Sequence, residues 1–415
     1  MTVRGRRDDV RLLAGVVIVA AASCGHSRSA PAPSLWVTAY YPAYATDTAL
    51  GVTQVPYGSA THVVHFSLVP NGDGSLSDPY GLEAQSAAFV AGAHAAGAKA
   101  LLGIGGDSGS GATAAFQAAA APGTRAALVA NIVAAMNAGG YDGVDLNWES
   151  VRLPDDVANL QGLITATRAA LDAAGGTHRV FAYPAGTASD FTQYGALAAA
   201  LAPVQSSLDQ LNLQTYVMAG PFPGWVTWFN SPLRSGNCVF PGGGAPPSID
   251  STVQAFLAAG IAPAKLGIGL QLAAVDWKGG SGTTTGGVTS PCQSWDMSSS
   301  APDGQDVGAP DYSQVVFDSA AYGIRNFTGV NGFTAHQDAA SSVPWLSLDS
   351  AGNLNDHFVS TEDAASIAAK ADFARAQGLG GTIVFDITGD YLSEKPAGDA
   401  QHPLMTAVRS AFLGK

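Results

Sequence analysis

The stretch Tyr141–Glu149 reads YDGVDLNWE, and its reading as a strand sets the fold. Side chains alternate along a strand, so Asp145, Asn147 and Glu149 share one face while Val144, Leu146 and Trp148 share the other. A buried carboxylate without partners is costly or titrates to neutral, so a row of polar groups on one face marks chemistry rather than packing.

Working outward, similar apolar runs recur with Ala-rich helical stretches between them. The strand candidates are residues 35–41, 62–69, 98–106, 141–149, 179–185, 209–217, 265–273 and 380–388. The segment TRAALVANIVAAMNAGG has helical periodicity, and Gly139-Gly140 supply its stop. Eight strands with intervening helices predict an α/β fold, a (β/α)8 TIM barrel whose active site sits at the C-terminal strand ends. A doubly wound sheet is the rival, but no Gly-rich phosphate loop follows the first strand. Residues 278–350 break the pattern and read as a small sheet-rich insertion subdomain between strands seven and eight, forming a wall over the cleft. The barrel domain as a whole is placed at 35–415.

The chain is acidic, with a net charge of −13, which argues against nucleic acid as a partner. Arg4, Arg6, Arg7 and Arg11 precede an apolar run from Leu12 to Ala22, so residues 1–24 are expected to be an export signal and 25–34 a flexible tether. Cys24 follows Ala21-Ala22-Ser23, which resembles a bacterial lipobox. On that reading Cys24 is lipidated and is the only link to a membrane, at the periplasmic or cell-surface face. Ordinary cleavage near Ala22, giving a secreted protein, is the alternative. Cys238 and Cys292 are then free to pair in an oxidising compartment. The eight His are scattered, so no metal site is expected, and no cofactor.

YDGVDLNWE resembles the DGxDxDxE signature of glycoside hydrolase family 18, the chitinases and related endo-N-acetylglucosaminidases. In the same order, WVTAYYPAY is similar to that family's first strand, LLGIGG to its SxGG element, LNLQTYV to its MxYD element and GGTIVFDITGDY to its last strand. The resemblance runs from about 36 to 412. It implies hydrolysis of β-1,4-linked N-acetylglucosamine glycans, chitin first, by a substrate-assisted retaining mechanism. The protein is expected to be a monomer. Glu149 would be the acid and base, Tyr216 the partner of the acetamido oxygen, and Asn147 the holder of the acetamido N–H. Asp145 would either support Glu149 or anchor the barrel interior. Tyr41, Gly105, Trp148, Gln214, Trp225, Trp277 and Phe385 are the expected sugar contacts.

Five positions depart from the family pattern. Asn147 stands for Asp, Gly103 for the Ser of SxGG, Gln214 and Val217 for the Met and Asp of MxYD, and Phe385 for the Trp that floors the sugar subsite. Turnover is therefore expected to be attenuated by Asn147. A sugar-binding protein with little turnover, or an endo-β-N-acetylglucosaminidase acting on N-glycans, are the alternatives.

Overall fold

The computed structural model describes residues 35–47, 50–106, 110–149, 151–186, 194–281, 287–295, 311–316, 332–350 and 355–415. The described residues belong to one compact unit, 34–415. Cys24, the signal segment and the tether lie outside the described residues.

Eight parallel strands close on themselves. They are β1 (Trp36–Pro42), β2 (His62–Pro70), β4 (Lys99–Gly105), β5 (Gly143–Asn147), β6 (Val180–Ala185), β7 (Gln210–Leu213), β8 (Leu266–Gln271) and β14 (Gly381–Phe385). The ring closes through β1, which pairs with β2 on one side and β14 on the other. A two-residue β3 (Leu76–Ser77) folds back on β2.

Parallel barrel strands are buried on both faces, and each face here has its own apolar set. Outward residues such as Val37, Val63, Leu102, Val144 and Leu146 join helix residues Phe89, Leu128, Ile132, Leu160 and Leu163 in the main core. These come from α1 (Leu82–Ala95), α3 (Arg125–Gly139) and α4 (Val157–Ala173). As expected, α3 stops at Gly140, which takes a left-handed φ of 74°. Inward residues Tyr40, Val64, Phe66, Leu101, Val180 and Ile383 fill the barrel. Its N-terminal end is plugged by polar groups: Thr38 Oγ1 donates to Gln210 Oε1 at 2.7 Å and Asn212 Nδ2 to the same oxygen at 3.1 Å. Burial there lowers the His62 pKa to about 4, so the plug is neutral at that position.

Strand β7 is shorter than its apolar run suggested. Thr215 N turns back to Leu213 O at 2.9 Å, and Val217 adopts a φ of 52°, so the chain leaves the ladder before Tyr216. This turn, rather than strand alternation, sets where Tyr216 points.

A second sheet of five antiparallel strands follows β8. It contains β9 (Ala273–Lys278), β10 (Asp311–Val316), β11 (Thr334–Asp338), β12 (Val343–Leu348) and β13 (His357–Ser360), in the order β10-β9-β13-β12-β11. Its strands extend beyond 278–350 on both sides, because the chain passes from β8 to β9 with only Leu272 between them. The sheet shares a core with the long segment after β7: Val226, Trp228, Phe229 and Cys238 pack with Val275, Trp277, Val343 and Phe358. A disulfide joins Cys238 to Cys292 across this core, with Cα atoms 5.6 Å apart.

Helix α7 (Ala364–Ala376) then leads back to the barrel, its first turn capped by the Asp363 carboxylate, which accepts from Ser366 N at 2.7 Å. The helix carries a buried Lys370 paired with Glu362, and Lys370 Nζ also reaches Ser231 Oγ at 3.3 Å.

Candidate active site

Glu149 lies just beyond β5, half-buried at the C-terminal end of the barrel. Its Oε1 accepts two amide N–H groups, from Asn147 Nδ2 at 3.0 Å and from Gln214 Nε2 at 3.1 Å. Oε2 has no hydrogen-bond partner among the described residues. A carboxyl held by one oxygen in this way presents the other to solvent. The preceding peptide is held too, since Tyr183 Oη donates to Trp148 O at 3.1 Å.

One layer deeper, Asp145 is fully buried. Its Oδ2 accepts the Tyr40 hydroxyl at 2.9 Å, and Oδ1 is buried with no partner among the described residues. Burial raises its pKa to about 8, and the Glu149 charge pushes the same way against the Tyr40 hydrogen bond. Asp145 is therefore a neutral acid at pH 7. Asn147, between them on the same face, keeps its Oδ1 buried and likewise without a partner among the described residues.

The glycines of β4 explain the close fit around this row. A Cβ on Gly105, whose φ is 101°, would sit 2.2 Å from Asn147 O, so no other residue passes there. A Cβ on Gly103 would meet His65 O at 3.0 Å and Phe66 Cα at 3.1 Å. A side chain at 103 would therefore require the neighbouring strand β2 to give way slightly.

The row opens into a cleft of about 340 Å³, lined by Phe66, Gly105, Glu149, Gln214, Tyr216, Gln271 and Phe385 among others. The Tyr216 and Phe385 rings are nearly parallel, with centroids 6.0 Å apart and planes at 19°. Burial, and next the Glu149 charge, keep the Tyr216 hydroxyl protonated well above its ordinary range. At the mouth, Tyr44 and Tyr80 are exposed and meet edge to face at 5.2 Å.

Glu149, Asn147, Asp145, Tyr216, Gly105, Gln214 and Phe385 are thus brought together. Four of the expected sugar contacts are not. Tyr41 faces out of the barrel, stacked on Phe89 with its hydroxyl donating to Leu50 O at 3.1 Å; alternation along β1 puts Tyr40 inside instead. Trp148, just past the end of β5, also faces outward and stacks on Phe116 at 5.0 Å, on the side opposite to Asn147. Trp277 is a core residue of the second sheet, donating to Trp228 O at 3.1 Å. Trp225 packs between Phe222 and Phe240 in the long segment after β7. None of the described residues of the second sheet lines this cleft.

Tyr40, Phe66, Gln271, Tyr44 and Tyr80 were not singled out in the sequence. Tyr44 and Tyr80 carried a usable signal, as aromatic residues in the loops that follow the first two strand runs. Asp142, which opens the strand, is a structural group: its Oδ2 accepts from Ala100 N and contacts His94 Nε2, both at 2.8 Å.

The sequence profile of the family described as Glycosyl hydrolases family 18 matches residues 37–390. Chitinase A1 of Niallia circulans is 28% identical over 273 residues, covering 60% of this chain and 35% of its own length. The chain thus spans about a third of that relative. Among solved structures, a family 18 N-acetylglucosaminidase of Paenibacillus barengoltzii superposes with a TM-score of 0.70 at 24% identity, over 91% of this chain and 99% of the other. The Group IV chitinase of Ostrinia furnacalis in complex with allosamidin gives 0.69 at 19% identity, over 91% and 98%. The chitinase-like agglutinin of Robinia pseudoacacia gives 0.68 at 19% identity, over 90% and 99%.

Proposed function

This chain belongs to glycosyl hydrolase family 18, and on that premise we propose that its cleft cuts β-1,4-linked N-acetylglucosamine glycans by substrate-assisted hydrolysis. One observation carries the reading: Glu149 is half-buried, tethered through Oε1 by two amides, with Oε2 left toward a cleft whose floor is the Tyr216–Phe385 pair. In the first step Oε2 gives its proton to the leaving glycosidic oxygen. The substrate's acetamido carbonyl oxygen attacks C1 as the C1–O bond breaks, forming an oxazolinium and leaving Glu149 ionised. In the second step that carboxylate takes a proton from water, whose oxygen attacks C1 and reopens the ring with net retention.

Tyr216 donates to the acetamido oxygen. Asn147 takes the acetamido N–H by turning its unpartnered Oδ1 toward the cleft, exchanging its bond to Glu149 for one to substrate. A neutral amide does not stabilise the developing positive charge as a carboxylate does, which slows the reaction by about 10²- to 10³-fold. The Cys238–Cys292 disulfide supports an exported protein, and the lipobox-like Ala21-Ala22-Ser23-Cys24 supports a lipid anchor on Cys24.

A second reading, a sugar-binding protein with little turnover, is favoured by Asn147 and by the likeness to an agglutinin. The two are separated by assaying the purified protein and its Glu149→Gln variant on fluorogenic N-acetylglucosamine di- and trisaccharides. Hydrolysis that disappears in the variant, while oligosaccharide binding persists, is the expected result. Binding without turnover in the unaltered protein would establish the second reading.

A further inference from the structure

We propose that Gln271 is a substrate-contacting specificity residue, its side-chain amide donating to an oxygen of the sugar that lies on Phe385. The assignment rests on the reading of the cleft as a site for N-acetylglucosamine glycans, and names a contact within it.

The argument starts from a group whose role is not open to choice. A backbone N–H can only donate, and Val217 N lies 2.8 Å from Asn230 Oδ1. That bond orients the Asn230 amide, so its Nδ2 must point the other way. There it meets Gln271 at 2.9 Å, and the atom facing a donor must be the oxygen, Oε1. Gln271 Nε2 is thereby directed away from Asn230. It has no hydrogen-bond partner among the described residues, although the side chain is only 3% exposed and lines the cleft. With its oxygen engaged, the amide leaves its N–H groups to the cleft, where water or a ligand completes them.

The rest of the relay is rigid. Asn230 is 1% exposed, and its own N–H is tied to Ser360 Oγ at 2.9 Å, on β13 of the second sheet. Val217, at the other end, is held with a φ of 52°, a backbone a β-branched residue adopts only when its surroundings impose it. At the cleft end, Gln271 is the register partner of Phe385 on β14. Two neighbouring inward residues at one level of the barrel give a flat apolar surface with a donor at its edge. A pyranose lying on that ring presents hydroxyl and acetamido oxygens around its rim, so the amide selects for an acceptor at one rim position.

The test uses the Glu149→Gln protein, so that binding is read without turnover, and titrates it with N-acetylglucosamine trisaccharide and a panel of monodeoxy analogues. Adding Gln271→Glu keeps the shape and an oxygen for Asn230 but removes the donor once the new carboxyl ionises. Expected is an affinity about ten-fold lower at pH 8, the size of one neutral hydrogen bond, with recovery at a pH low enough to protonate the introduced group. One deoxy analogue should bind the Glu149→Gln protein about ten-fold more weakly than the parent sugar, and that difference should vanish when Gln271→Glu is added. Equal affinities with and without Gln271→Glu, or a loss with no pH recovery and no analogue singled out, overturn the assignment while leaving the glycan reading intact. No binding of any oligosaccharide to the Glu149→Gln protein overturns both.

Discussion

Replacing Asp145 by Asn should stabilise the protein, and by an amount that grows with pH. Asp145 is fully buried, with a pKa raised from 3.8 to about 8, mainly by burial. The unfolded chain releases this proton near 3.8, whereas the folded one keeps it up to about 8. Between those values the folded state binds the extra proton, so rising pH favours unfolding, and the penalty reaches its full size above pH 8. About 4 pH units at about 1.4 kcal/mol each give a ceiling of about 6 kcal/mol. Asn has nearly the same shape, still offers an oxygen to the Tyr40 hydroxyl, and never ionises. Thermal unfolding of the two proteins, disulfide intact, should coincide near pH 4 and diverge toward pH 8.5. With an unfolding entropy of about 2 cal/mol/K per residue, the ceiling corresponds to a midpoint about 7 °C higher for the variant in a domain of this length. Parallel pH profiles would refute the reasoning, since they would mean that Asp145 ionises in the folded state as readily as in the unfolded one.

Asn147→Asp should raise kcat on chito-oligosaccharides by about 10²-fold, because it restores a charge opposite the oxazolinium; an unchanged or lower kcat would mean a site rebuilt around the amide. Val217→Asn should raise the denaturant midpoint by the equivalent of about 1 kcal/mol, since Asn tolerates the left-handed φ of 52° far better than a β-branched residue. A lowered midpoint would show that the valine side chain contributes more by packing than its backbone costs. Cys238→Ser opens a loop with a sequence separation of 54, worth about 4 kcal/mol on chain-entropy grounds, so its denaturation midpoint should fall sharply; an unmoved midpoint counts against a stabilising link. Lys370→Met leaves Glu362 unpaired in a fully buried site and should cost about 3–5 kcal/mol, most of it recovered when Glu362→Gln is added. If the double variant is no more stable than the single one, the cost lies in lost packing rather than in an orphaned charge.

The barrel and its polar row were legible because both are local patterns. Strand alternation within Tyr141–Glu149 separated Asp145 and Asn147 from Leu146 and Trp148, and helical periodicity with Gly140 at its end marked α3. Nearest-neighbour geometry along one chain suffices for such inferences. It failed where both faces of a strand are apolar. Tyr40 and Tyr41 are both buried aromatic residues on β1, and nothing in WVTAYYP says which one faces inward.

Other features belong to the tertiary structure alone, because they join residues far apart in sequence. Tyr40 meets Asp145 across 105 residues, Gln214 meets Glu149 across 65 and Asn230 meets Gln271 across 41. Trp277, an expected sugar contact, went instead into the core that the long segment after β7 makes with the second sheet, beside Trp228, since a large apolar side chain goes where the packed fold offers burial. By itself, then, the sequence determined which residues alternate, where the strands run and which carboxylate stands at a strand end. The closed barrel decided which of those faces is the cleft, which amides hold Glu149, and which aromatic residues remain there to meet a ligand, because each depends on strands that become neighbours only when the ring closes.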